Sequence, residues 1–161
     1  MTQPGGWVAH NVPKELINAI YKIRVDLQNG KIIERNFSTD LTIDYEILEE
    51  QLAETPAAFA LWSSVLAEQR FVVAKLERLI ARRRAKVCNN AREVAEEGAK
   101  LHKYVLDEIV EGDDEILKLQ GQLMIANRSL SKLYGIVDAM KMKSEHLRSL
   151  AGFKRQEMRN S

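Results

Sequence analysis

The residues best suited to chemistry are a run of cations in the middle of the chain. Lys75, Arg78, Arg82 and Lys86 recur at spacings of three and four, so a helix places them on one face. Such a stripe can follow a phosphate backbone, with binding that is independent of sequence and sensitive to salt. The predicted contact residues for a polyanion are Lys75, Arg78, Arg82, Arg83, Arg84 and Lys86.

An alternative is that these cations pair with acidic residues and only solvate a helix face. The net charge of +1 arises from 24 basic and 23 acidic residues, but the two signs are segregated along the chain. Residues 40–54 hold six acids and no base, and residues 93–115 hold nine acids and two bases. Residues 70–86 and 118–159 are basic. Blocks of opposite sign can pair within a chain or leave one basic face free for a polyanion, and both possibilities stay open.

Residue patterns for catalysis are missing. His10, His102 and His146 share no metal-like spacing with Cys88 or with one another, and the glycines match neither common phosphate-binding loop. We therefore predict no catalytic residue, no metal site, no cofactor and no enzymatic activity. The single cysteine suggests a reducing compartment, and no apolar run approaches the roughly 20 residues that span a bilayer. A cytoplasmic protein without a membrane contact is expected.

The elements that must position the cations are predicted to be helices, because aromatic residues make up 6% of the chain and prolines number three. Pro13 and Gly30 bracket one helix, with Leu16, Ile20, Ile23 and Leu27 at helical spacing. The alternative for Ile20–Leu27 is a strand, with Asn29-Gly30 as a hairpin turn into Ile32 and Ile33. Residues 31–43 are interpreted as a connector that can include a short extended piece.

The basic run is expected to lie on a long helix. Asp44 is predicted to cap a short acidic helix over 45–53, and Thr55-Pro56 to open a second helix that reaches about residue 88. Two polar residues, Gln69 and Arg83, occupy positions on the apolar stripe of that helix. A weaker helix is predicted over 92–110. The apolar stripe itself consists of Phe59, Trp62, Leu66, Val73, Leu76, Ile80 and Val87.

The clearest periodicity lies near the C-terminus. From Ile116 to Ala151 small and apolar residues step by three and four over five heptads, with one polar member, and Asp113 or Asp114 caps the start. Two long helices predict an all-α, coiled-coil-like antiparallel hairpin with shorter accessory helices. Its leftover apolar positions predict a homo-oligomer. We assign 1–55 to an N-terminal arm with short helices and 56–161 to the hairpin. The predicted oligomerisation residues are Leu123, Leu130, Leu133, Val137, Met140 and Leu147.

Three segments of the chain together carry a resemblance to one known protein family. One is a long helix with an aromatic entry, Phe59 and Trp62, that turns basic at Arg82–Lys86. The second is the acidic approach from Lys103-Tyr104-Val105-Leu106-Asp107 through Asp113-Asp114 into Ile116-Leu117-Lys118. The third runs from Leu133-Tyr134-Gly135-Ile136-Val137-Asp138-Ala139-Met140-Lys141 to Leu147-Arg148-Ser149-Leu150-Ala151-Gly152-Phe153. In these segments the chain resembles the UvsY family of phage recombination mediators. The resemblance extends from Leu61 to Met158, about 100 of 161 residues, and does not cover 1–55.

The resemblance implies a homo-oligomeric, ring-forming helical protein that binds single-stranded DNA and has no catalytic site. Such mediators act in DNA recombination and repair. They load a RecA-type recombinase onto DNA already coated by a single-strand binding protein, in the host cytoplasm if the protein is phage-encoded. By position, the family's DNA-contact segment falls on Arg82, Arg83, Arg84 and Lys86 and its assembly segment on the C-terminal helix. The basic run holds no aromatic residue, so electrostatic contact with weak base preference is expected.

Two other functions fit the same patterns. One is a helical oligomer of a phage packaging type, which would prefer duplex DNA over single strands. The other is a structural coiled-coil protein that binds no nucleic acid, and the absence of any salt-sensitive DNA binding would select it.

Overall fold

The computed structural model describes residues 21–26, 30–95 and 101–160 of the chain. A two-stranded antiparallel ribbon comes first, formed by β1 (Lys22–Asp26) and β2 (Ile32–Asn36). Helix α1 (Ser38–Leu41) is short and α2 (Leu48–Val94) is long. Helices α3 (Lys103–Glu111) and α4 (Asp114–Asn160) complete this part of the chain.

The ribbon corrects the prediction of a helix between Pro13 and Gly30. Lys22–Asp26 is a strand that pairs with Ile32–Asn36 in the register Lys22 to Asn36 and Asp26 to Ile32, so the alternative of a hairpin is the right one. Ile23 and Val25 are buried while Lys22 and Arg24 are exposed, which is the alternation of a half-buried strand. Gly30 has a φ of 75°, a left-handed conformation that favours glycine in turns. The part of the predicted helix before residue 21 lies outside the described residues.

Helix α2 begins earlier and ends later than predicted. The predicted acidic helix over 45–53 and the long helix from 56 are one continuous element, Leu48–Val94. Pro56 lies inside it, and Thr55 is not a cap, since its hydroxyl donates to the Gln51 carbonyl at 2.6 Å. Asp44 caps a turn before the helix, accepting from the Glu46 backbone N–H at 2.9 Å. The predicted boundary between residues 55 and 56 therefore falls within a helix of 47 residues, about 70 Å long.

Helix α4 begins where the sequence predicted. The Asp113 carboxylate accepts from the backbone N–H of Ile116 at 3.0 Å, which confirms it as the N-terminal cap. The weaker helix predicted over 92–110 is wrong at its start, because residues 92–94 belong to α2 and α3 begins at Lys103.

The two long helices pack side by side and antiparallel. Gln69 of α2 donates to the Ala126 carbonyl of α4 at 2.9 Å, and Lys154 near the end of α4 approaches Glu49 at the start of α2. The predicted helical hairpin is thus present, in a mostly helical protein. Among the described residues no helix is both long and apolar enough to cross a membrane.

The largest core cluster lies where the ribbon covers the hairpin. Asp40 of α1 joins the layers: its carboxylate accepts from Arg35 at 2.9 Å and from the Trp62 indole at 3.0 Å, and its carbonyl accepts from the Lys143 ammonium at 2.9 Å. The ribbon and α1 therefore pack against both long helices in the middle part of the hairpin. The buried residues of this cluster are Ile23, Val25, Phe37, Trp62, Val65, Leu66, Leu133, Ile136 and Met140.

Candidate nucleic-acid interface

Four of the six predicted contact cations share one face of α2. Lys75, Arg78, Arg82 and Lys86 are exposed and lie within about 17 Å along the helix axis. They form no ion pair with a described residue. This face points away from α4, because the residues that pack toward it, such as Trp62, Gln69 and Val73, lie on the other side.

Arg84 is exposed as well but lies off this face. It is two positions from Arg82, which places it about 200° around the helix axis. The name "basic face" is used below for Lys75, Arg78, Arg82 and Lys86 alone.

Arg83 has a structural partner. Its guanidinium is hydrogen-bonded to the Asp113 carboxylate, with Nη2 to Oδ2 at 2.8 Å and Nε to Oδ1 at 3.1 Å, and Nη1 lies 2.7 Å from Glu115. The hydrogen bond to Asp113 raises the pKa of Arg83, and the same bond lowers the pKa of Asp113. The alternative in which acids of 93–115 neutralise the cations thus holds for Arg83, within the part of the chain that the structure describes.

The helix surface around the basic face includes an aromatic side chain that the sequence patterns did not single out. Phe71 lies one turn before Lys75 and is 51% exposed. It lines a shallow groove of about 280 Å³ together with Lys75, Arg78, Leu79 and Arg82. The spacing of four from Phe71 to Lys75 is a usable signal for a shared face, although Phe71 precedes the cationic run itself.

The residues predicted to join copies lie mainly inside the hairpin. Leu133, Met140 and Leu147 have no exposed surface, and Leu123, Leu130 and Val137 are half-buried. Within one chain this stripe packs α4 against α2 and the ribbon, so its role between copies stays a prediction.

A different set of apolar residues faces outward from α4. Leu117, Met124, Met142 and Phe153 are 51–71% exposed. They are separated by 7, 18 and 11 residues, close to whole numbers of helical turns, so they lie on one face of the helix. These four residues are named here the outer stripe.

Metal binding and a reactive thiol are the other kinds of chemistry to consider among the described residues. They contain no cluster of three or more histidines, cysteines or carboxylates that could hold a metal ion. Cys88 is a half-buried free thiol on α2.

A helical hairpin with an exposed cationic face is an arrangement suited to binding a polyanion. No protein-family model matches the chain, and no curated protein sequence matches it. Its fold is UvsY-like, as solved structures of the bacteriophage T4 recombination mediator protein UvsY show.

The similarity is structural and covers most of both chains. The lattice type IV structure has a TM-score of 0.60 at 15% identity, with 75% of this chain and 92% of the T4 chain aligned. The lattice type II structure has a TM-score of 0.57 at 16% identity, with 92% and 99% aligned. At this low identity the comparison shows the fold alone.

Proposed function

We propose that this protein is a recombination mediator that binds single-stranded DNA and helps to load a RecA-type recombinase onto it. The observation that carries the proposal is the UvsY-like fold along most of the chain, since the T4 protein is a recombination mediator. The protein acts by binding and handing over DNA, without catalysis or a cofactor. Its site of action is the cytoplasm, where the recombinase and a single-strand binding protein are its partners.

The basic face is the proposed DNA contact. Its four cations are exposed and form no ion pair with a described residue, so binding phosphates breaks no internal ion pair. Contact of this kind releases counterions and is therefore weakened by salt. It reads no bases, which suits a mediator that must act on any sequence.

Assembly into a ring is part of the proposal, with the outer stripe of α4 as the contact between copies. The heptad stripe of α4 packs inside the hairpin, whereas the four apolar residues of the outer stripe are exposed. Between Met124 and Met142 the same face carries Arg128, Ser131, Gly135 and Asp138. Repeating the basic face around a ring gives many weak contacts to one strand, so that affinity rises with strand length.

The first test is a binding measurement on the full chain. Replacing Lys75, Arg78, Arg82 and Lys86 by alanine keeps helix propensity high and should flatten the salt slope by about 0.7 for each phosphate that is no longer neutralised. The matched control replaces four cations at the far end of the hairpin, Lys141, Arg148, Lys154 and Arg155, by alanine. Lys143 is excluded from the control because its ammonium is buried against Asp40.

The outcomes separate the candidate functions. We expect the basic-face variant to bind single strands weakly and the control to bind like the wild type. A preference for duplex DNA in a competition gel would instead favour the duplex-binding packaging oligomer. Absence of salt-sensitive binding in the wild type would favour a structural coiled-coil protein.

Mediation itself is tested by recombinase loading. DNA coated with a single-strand binding protein is mixed with a RecA-type recombinase, and its DNA-dependent ATP hydrolysis is followed. The wild type should shorten the lag before hydrolysis, and the basic-face variant should not. An unchanged lag with the wild type, despite tight DNA binding, would refute mediation for the recombinase used.

A further inference from the structure

Phe71 is exposed on a helix face that otherwise carries cations. Half of its surface is open to solvent, and it shares its groove with three long cationic side chains, Lys75, Arg78 and Arg82. Its helix buries other residues, Trp62, Gln69 and Val73, against the rest of the molecule. The ring therefore has no packing role comparable to that of Trp62, which is 1% exposed.

A lone exposed apolar residue is ordinary on a protein surface, but the surroundings of Phe71 are not. No acidic residue lines the groove. The nearest acid on this face, Glu68, lies one turn before Phe71 and marks the end of the positive stripe. A ring followed by cations one, two and three turns along is the combination that single-strand binders use: cations hold the backbone and an aromatic side chain stacks on a base.

We propose that Phe71 is a stacking platform for an unpaired nucleobase of the strand held by the basic face. This inference rests on the proposed function, because it needs a single strand on that face. Lys75 lies about 6 Å and Arg82 about 17 Å along the axis from Phe71, so the ring meets a base at one end of the phosphate track. Leu79, which is 38% exposed, adds apolar surface to the floor of the same groove.

The proposal changes what the DNA contact can distinguish. Phosphate contacts alone treat single strands and duplexes as polyanions, whereas a ring can stack only on a base that is not already paired and stacked. Phe71 would therefore favour single strands over duplexes without choosing a base sequence, since every base has an aromatic face.

The test compares two probes of equal length and charge, an oligothymidine and the same backbone with every base replaced by an abasic site. Phe71→Ala should weaken oligothymidine binding by roughly 5- to 150-fold per stacked base and leave the affinity for the abasic strand unchanged. The basic-face variant should bind both probes more weakly than the wild type. The matched control is Tyr45→Ala, which removes a ring that is 67% exposed and lies outside both the basic face and the outer stripe.

A second variant tests the contact without removing the ring. Phe71→Trp should bind oligothymidine at least as well as the wild type, and its emission should be quenched by oligothymidine and not by the abasic strand. The wild type, which holds Trp7 and Trp62, supplies the baseline. Quenching that equals the baseline would overturn the proposal.

Failure of this inference can be told from failure of the proposed function. If the wild type binds neither probe, both the proposed function and the stacking role of Phe71 are wrong. If the wild type binds both probes and Phe71→Ala binds oligothymidine with the same affinity as the wild type, only the stacking role is wrong. Equal weakening on both probes by Phe71→Ala would assign Phe71 to the fold or the assembly and would also overturn stacking.

Discussion

At the scale of single residues, Arg83 and Asp113 form the contact that ties the basic half of α2 to the first turn of α4. The Asp113 carboxylate has two functions, since it accepts from Arg83 and from the backbone N–H of Ile116. Its lowered pKa, due first to the hydrogen bond from Arg83, means that folding favours the charged form.

This linkage predicts a pH dependence of stability. A carboxyl whose pKa is lower in the folded state stabilises the protein above its ordinary pKa, and that stabilisation is lost as the pH falls through the folded value. Asp113→Asn keeps a good capping residue but removes the charge. In denaturant titrations it should be less stable than the wild type at pH 7, with a difference that shrinks below about pH 4.

The matched control for this prediction is Asp114→Asn, which removes the adjacent charge of the same helix turn without touching the Arg83 pair. At pH 7 this variant should lose less stability relative to the wild type than Asp113→Asn does. A difference for Asp113→Asn that stays constant from pH 7 to pH 3 would show that the ion pair does not contribute to stability.

The different position of Arg83 was partly visible in the sequence. It occupies the same stripe as Trp62 and Val73, so its helical phase already points it inward, unlike Arg82. Its partner was not predictable, because pairing with Asp113 depends on how α3 and α4 return along α2. Gln69 shows the same limit: its stripe position indicates burial, but not its bond to the Ala126 carbonyl.

At the scale of elements, the sequence of the ribbon contains one pattern that predicts a helix and another that predicts a strand. The spacing of Ile20, Ile23 and Leu27 suits a helix, whereas alternation of Ile23 and Val25 with charged neighbours suits a strand. The strand prevails because it buries both β-branched residues against Trp62 and Leu133, a contact that only the tertiary fold supplies. Similarly, Pro56 is typical of a helix start, yet α2 begins at Leu48 and continues without a break past Pro56.

The two faces of the ribbon predict unequal effects of one substitution. Ile23→Ala removes a side chain that is 2% exposed and should lower the free energy of unfolding by about 2–5 kcal/mol. The matched control is Ile32→Ala on β2, where the side chain is 53% exposed and the expected change is within about 0.5 kcal/mol. Chemical denaturation followed by circular dichroism measures both, and equal effects would mean that the ribbon does not cover the core.

At the scale of the whole molecule, the heptads of α4 predicted the hairpin correctly, because an apolar stripe must be buried somewhere. They could not show whether the covering surface comes from the same chain or from another copy. In the structure α2 and the ribbon cover that stripe, and the outer stripe is among the apolar residues of α4 that remain open to solvent.

Substitutions on the two faces of α4 should therefore have different effects on assembly. Met124→Glu combined with Met142→Glu places charges on the outer stripe, where both side chains are about 70% exposed and the single chain needs neither. We expect the double variant to keep its helical circular dichroism while light scattering shows a mass falling toward the 18.4 kDa of one chain. Leu133→Asp should instead lose helicity, because it buries a charge in the core at a cost of several kcal/mol.

The matched control for assembly is Met158→Glu, the same exchange at a residue of α4 that is 63% exposed but lies off the outer stripe. It should leave the mass unchanged, because it adds a charge to the helix without entering the proposed contact between copies. A double variant with the same mass as an oligomeric wild type would exclude the outer stripe as the interface. A wild type that is monomeric at micromolar concentration would exclude the ring, and the basic face of one chain would then have to hold its strand alone.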